Sequence, residues 1–262
     1  MASGQQGGDR VRRWQRTWIG GLAVIAFLVL WEIAMPLGLV KVADISRPSL
    51  VVKSFFELAA EGEIFPHLVI SLKEFVVGFI LSLIVGIPLG VVLGRYRLPA
   101  LVLDPLLMAF YTMPRMAMMP LLVVWFGVGL GATVAVVFLG ALFPILINTS
   151  VGIREIDPLW IRAVRSFGGR EWEIFKKVLL PGAIPPMMTG IRLGVGRGLL
   201  GMVVSEMYAS TAGIGGQIAL YGNSFRATEL IVLIAVVSLL GFLMVDLMRR
   251  LEERIRRGRM EG

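Results

Sequence analysis

Apolar runs at residues 18–40, 75–94, 101–126, 132–153, 184–208 and 229–247 dominate this chain, separated by polar gaps of unequal length. Each run is near or above the roughly 20 residues a helix needs to cross a bilayer. The pattern predicts an all-α, polytopic membrane protein with six transmembrane helices. The first run carries one charge, Glu32, and is too long for a signal-peptide core, so it reads as an uncleaved helix. Between the first two runs, residues 48–60 form a candidate surface helix, with Lys53 and Glu57 four apart. The third run contains Pro105, Pro114 and Pro120, so its backbone should be irregular and either buried in protein or lining a cavity. An outer segment, 209–228, holds Gly213, Gly215 and Gly216.

Small residues recur at four-residue spacing in two of the runs. Gly78, Ser82, Gly86, Gly90 and Gly94 line one face of the second helix, and Gly190, Gly194 and Gly198 line one face of the fifth. In lipid, such stripes let helices approach closely, and packing then drives association.

The longest polar interruption, within residues 154–181, opens with Asp157-Pro158, which reads as N-cap and first helical residue. Leu159, Ala163 and Phe167 then recur every four residues, with Trp160 and Val164 beside them, until Gly168-Gly169 supplies a left-handed stop. A second short helix follows. Trp172, Phe175 and Leu179 share a face of it, and Pro181 is expected to limit its length. Two amphipathic helices with aromatic faces suit docking into a groove on a soluble partner. The same pattern also fits a loop lying on lipid headgroups, with Gly168 a simple C-cap and the aromatics a core between loop and bundle.

Composition agrees with the membrane reading: 56% of the 262 residues are hydrophobic and 17% charged, and the mean hydropathy is +0.81. The net charge of +8 does not point to nucleic acid, because the basic residues sit in the gaps. The first tail holds four, the turn at Arg95 and Arg97 two, the central loop six and the last tail six, so 18 of 26 fall on one side. By the positive-inside rule, both termini and the central loop are cytoplasmic. The organisation is then a basic tail at 1–17, a transmembrane domain at 18–248 with its loop at about 154–181, and a basic tail at 249–262. Zero Cys removes disulfide and thiolate chemistry, and a single histidine, His67, removes most metal sites.

Charges inside spans are functional candidates, because each costs at least about 2.5 kcal/mol on insertion scales. Arg115 stands mid-span, with Tyr111, Thr112 and Met119 near it. These four and Glu206 are candidates for a substrate pathway, and Arg115 could instead pair with Asp104 or Glu206. Arg192 and Arg197 are expected to snorkel towards the cytoplasmic interface. A different class, an ion-coupled secondary transporter, would use Glu32 or Glu206 as proton carrier. Gly127, Gly129 and Ala132 match a dinucleotide-loop spacing, but no strand precedes them. No Gly-Lys pair exists, so a phosphate-binding P-loop is absent and the chain is not expected to be an enzyme.

The spacing of Ala163, Gly168, Leu180 and Pro181 resembles the EAA loop of bacterial ABC importer permeases, whose pattern is EAA, three residues, Gly, nine residues, Ile-x-Leu-Pro. Arg162 replaces the usual Glu, and Val178 the usual Ile. IPLGVVLGR, LDPLLMAFYTMPRMAMMPLLVVWFGVG, FPILINTSVGIR and LPGAIPPMMTGIRLGVGRGLLGMVVSEM are similar to the spans of sulfonate, taurine and nitrate permeases. The resemblance implies a type I importer permease in the bacterial plasma (inner) membrane. It also implies a second permease subunit, commonly identical, two cytoplasmic ATPases that bind ATP and Mg, and an extracytoplasmic solute-binding protein. In this chain it marks Arg162, Ala163, Val164, Gly168, Trp172, Phe175, Leu180 and Pro181 as the ATPase-coupling loop, with cargo a small solute such as the anionic sulfonate, taurine or nitrate.

Overall fold

Helix follows helix through the residues described by this computed structural model, which are 5–35, 46–210 and 212–257. They are α1 (Gln5–Ala34), α2 (Pro48–Ala60), α3 (Ile64–Arg95), α4 (Arg97–Thr112), α5 (Met119–Phe126), α6 (Leu130–Arg154), α7 (Pro158–Ser166), α8 (Glu171–Ile174), α9 (Leu180–Ala209), α10 (Gly213–Asn223) and α11 (Ala227–Arg257). Among the described residues, four stretches are long and apolar enough to cross a membrane: Ile64–Arg95, Leu130–Arg154, Glu171–Ala209 and Ala227–Arg254. The first predicted span is represented by a shorter apolar stretch, Ile19–Ala34, and its end at 36–40 lies outside the described residues. The third is broken, as its prolines require. Pro105 sits inside α4, Pro114 follows an extended Met113, a 3-10 turn covers Arg115–Met118, and Pro120 lies in the first turn of α5.

Two compact units divide the chain, one of residues 1–62 and 221–232, the other of 63–220 and 233–262. In the first, the Ser49 amide and hydroxyl donate to the Glu32 carboxylate at 3.0 and 2.8 Å, and Lys53 pairs with Glu57 at 3.5 Å on α2. In the second, α6 is the central helix and is buried along most of its length. Both small-residue stripes press on it. A methyl added at Gly94 would lie 2.5 Å from the Ile153 Cβ, and one added at Gly90 would lie 2.7 Å from the Leu146 carbonyl oxygen. From the other side, a methyl at Gly190 would lie 2.7 Å from the Pro144 carbonyl oxygen. Ser82 donates to the Phe138 carbonyl at 3.0 Å, joining α3 to α6 by a hydrogen bond as well as by shape. Beyond the stripes, Phe75, Val137, Val195, Leu199 and Met202 form a core shared by α3, α6 and α9.

Three boundaries differ from the sequence reading. The second span begins at Ile64 rather than residue 75, because Ser71 and Glu74 are buried within the bundle. The segment that holds Gly213, Gly215 and Gly216 is the helix α10, whose first amides are held by side chains of other helices. His67 Nδ1 accepts from Gly213 N at 3.1 Å, Ser71 Oγ from Ile214 N at 2.8 Å, and Glu206 Oε2 from Gly215 N at 2.7 Å. Finally, Pro181 does not end the loop's second helix. A π-helical turn, Phe175–Leu179, links α8 to α9, and Pro181 falls in the first turn of α9. The wider turn shifts the hydrogen-bond ladder just where a proline ring and its missing N–H would break a regular one.

Candidate functional site

The central polar loop builds one candidate site. Asp157 Oδ1 accepts from Leu159 N at 2.8 Å, Pro158 occupies the first turn, and α7 begins there. It stops at Gly168, whose φ is +79°. Gly168 N donates to Arg165 O and Gly169 N to Val164 O, both at 2.9 Å, the two bonds of a Schellman C-cap. On the next helix, Glu173 Oε2 accepts from Arg170 N at 3.0 Å and Glu173 pairs with Lys177 at 3.1 Å.

One face of this loop is anchored. Ile174, Leu179, Ile153 and Ala183 are buried together, with Ile161, Val164 and Phe175 packed against them. The opposite face is apolar yet exposed: Leu159, Trp160, Phe167 and Trp172 are 60%, 67%, 91% and 69% accessible. The aromatics therefore divide differently from the sequence reading. Phe175 lies one turn before the buried Leu179, faces the bundle and stacks on Trp172, ring centroids 5.5 Å apart. Arg162 and Ala163 are exposed, and Leu180 and Pro181 are half-buried. Trp160, Lys177 and Pro181 line a groove of about 360 Å³ beside Asp157.

Charged pairs tie the loop to the helix ends. Glu171 accepts from Arg165 of α7 and, at 3.0 Å, from Arg95 at the end of α3. These guanidinium groups, Arg165 first, hold the Glu171 carboxyl below the usual carboxylate range. Arg154 at the end of α6 donates to the Leu93 carbonyl at 3.2 Å and to Asp104 at 3.1 Å.

A second candidate site is a cavity of about 380 Å³. Tyr111, Met113 and Pro114 line it from the end of α4, with Met119 at the start of α5 and Val136 of α6. Its remaining wall is α9, through Arg197, Leu200, Gly201 and Val204. Tyr111 is held by Phe143, ring centroids 5.9 Å apart. Of the pathway residues expected from sequence, Tyr111 and Met119 reach this cavity. Thr112 turns its hydroxyl back to Met108 O and Ala109 O, at 3.0 and 3.1 Å. Glu206 is fully buried behind α10. The Arg115 side chain lies outside the described residues, and the carboxylates expected to pair with it are bonded to Arg154 and Gly215.

Arg197 lies 17 residues beyond Leu180 in a helix of 30, about 26 Å along the axis, and there it lines this cavity. Arg192 instead pairs with Glu252 of α11 at 3.2 Å. The signal was present in the sequence, because residues 197, 201 and 204 share a helical face beside the glycine stripe.

Residues 86–257 match the family of binding-protein-dependent transport system inner membrane components. The chain is 33% identical to the putative aliphatic sulfonates transport permease protein SsuC of Bacillus subtilis, over 91% of this chain and 87% of that one. It is 29% identical to the taurine transport system permease protein TauC of Escherichia coli, over 90% and 87%. It is 31% identical to the nitrate import permease protein NrtB of Leptolyngbya laminosa, over 79% and 74%. Its fold is similar to a chain of the inward-facing MetNI methionine ABC transporter, with a TM-score of 0.60 and 20% identity over 80% of this chain and 99% of that one.

Proposed function

Because the chain belongs to the family of binding-protein-dependent transport system inner membrane components, and so is the multi-pass permease subunit of an ABC importer, we propose that its central loop is the coupling element. The exposed aromatic face of α7 and α8 docks on cytoplasmic ATPase subunits, which bind ATP and Mg. Two copies of the chain form the pathway, each crossing the membrane six times with both termini cytoplasmic. An extracytoplasmic binding protein delivers a sulfonate, taurine or nitrate, the cargoes named for its relatives. ATP-driven closure of the partner moves the loop as a lever and switches the bundle between outward-open and inward-open states.

The observation that carries this reading is the exposure of Trp160, Phe167 and Trp172 on a loop whose other face is anchored in the bundle. A loop free on both sides would transmit nothing. One buried on both sides would have nowhere to dock. The ion-coupled carrier is not favoured. Glu206 is packed against Gly213 and Gly215 with no exposed surface, and Glu32 is bonded to Ser49.

With Cys count zero, a single cysteine at Phe167 can carry a cross-linker without background. Cross-linking from Phe167→Cys to an ATPase subunit, and none from a cysteine placed at Phe56 on α2, is the expected result. Equal labelling from both positions contradicts the proposal.

A further inference from the structure

The cavity beside α9 has a lining that selects among cargo chemistries. Among the described residues, Arg197 carries its one charge, and Arg197 and Tyr111 supply its side-chain N–H and O–H donors. Met113, Met119, Leu200 and Val204 surround them with apolar surface. Among the described residues, no carboxylate reaches the guanidinium. Asp104 is paired with Arg154 and Glu252 with Arg192, while Glu74 and Glu206 are buried. An arginine near the middle of a membrane helix is retained where it meets water, a counter-charge or cargo. This one is exposed to the cavity.

We infer that this cavity is a substrate subsite for an organic oxyanion with an aliphatic body, such as an alkanesulfonate, and that Arg197 and Tyr111 bind its oxygens. The inference rests on the permease reading above. A guanidinium and a phenol both donate to an oxyanion, and a planar guanidinium can bind two oxygens at once. The thioethers and aliphatic groups then cover the alkyl chain. A nitrate would satisfy the donors and leave the apolar wall unused. A neutral solute of the same shape would leave the guanidinium without a counter-charge.

The test places the purified permease in phosphatidylcholine nanodiscs, free of anionic lipid, and titrates it with butanesulfonate, sodium nitrate and the neutral butyl methyl sulfone. Butanesulfonate is expected to bind more tightly than either of the others. Arg197→Gln should weaken it about tenfold or more, Arg197→Lys less, and Tyr111→Phe severalfold, each with unchanged Tm in the absence of probe. If phosphatidylglycerol abolishes butanesulfonate binding to the wild type, and Arg197→Gln removes a phosphatidylglycerol-dependent rise in Tm, the site holds lipid headgroups and the inference is overturned. Binding that Arg197→Gln leaves intact, or nitrate binding as tight as butanesulfonate, also overturns it. So does the absence of binding to the wild type. Failure of Phe167→Cys to cross-link an ATPase would instead defeat the coupling proposal, so the two failures are distinct.

Discussion

Arg95, the last residue of α3, donates to Glu171, the first residue of α8, at 3.0 Å across 76 positions of sequence. The same carboxylate accepts from Arg165 of α7. One side chain thus ties both loop helices to the end of a membrane helix. Glu171→Gln keeps the shape and removes the charge, so transport and ATP hydrolysis should come apart: uptake per ATP falls severalfold while the variant still folds, with a Tm only slightly below that of the wild type. Reconstituted uptake measured beside phosphate release checks this.

The same group sets a pH dependence. Arg165 and then Arg95 lower the Glu171 pKa from 4.5. Its contribution is therefore complete above that value and is lost as pH falls through the lower, folded-state pKa. The Tm difference between wild type and Glu171→Gln should shrink on acidification below pH 4.5 and stay constant on the alkaline side. Thermal melts from pH 3 to 8 test the direction.

At Gly168 the backbone has φ +79° and open space where a side chain would go. The cost of substitution there is backbone strain, about 1–2 kcal/mol for a β-branched residue, and no clash adds to it. Gly168→Val should displace the loop and reduce ATPase capture. Gly168→Asn, which tolerates this conformation, should retain capture.

Close packing of α3 on α6 predicts a different penalty. Gly94→Ala would place a methyl 2.5 Å from Ile153 Cβ and 2.7 Å from Ser150 O, so the helices must separate, at about 1–3 kcal/mol. Gly196→Ala meets nothing within 4 Å and serves as the neutral control. Unfolding in detergent should rank them in that order.

Glu206 serves α10. Glu206→Ala leaves Gly215 N unpaired in a buried place, a loss of about 1–3 kcal/mol, and should speed amide exchange across residues 213–223. Glu206→Gln keeps an acceptor oxygen and should stay close to wild type. If instead both variants abolish proton-driven uptake and leave exchange unchanged, the carrier reading returns.

The local rules were legible in the sequence where a few neighbouring residues decide the outcome. Asp157-Pro158 starts α7, Gly168 ends it, Pro114 and Pro120 break the third span, and α2 runs from Pro48. What was not legible depends on contacts across the chain. The glycine-rich α10 is specified by His67, Ser71 and Glu206, which lie outside it. The π-turn that carries the helix through Pro181 is held by the buried Ile174 and Leu179. Phe175 and Trp172 share a helical face by spacing, yet one packs inward and the other is exposed. Arg197 shares a helical face with Gly201 and Val204 by spacing alone, but that this face meets Tyr111 and Met119 across a cavity depends on how the glycine stripe of α9 seats that helix against α6.

The most direct test of the coupling claim is capture of candidate ATPase subunits by the detergent-solubilised permease, comparing wild type with a Trp160→Ala/Phe167→Ala/Trp172→Ala triple variant. All three side chains are largely exposed, so the variant should keep the wild-type Tm. The account predicts capture by the wild type and its loss in the folded variant. Equal capture by both would mean that the exposed aromatic face does not dock, and would contradict it.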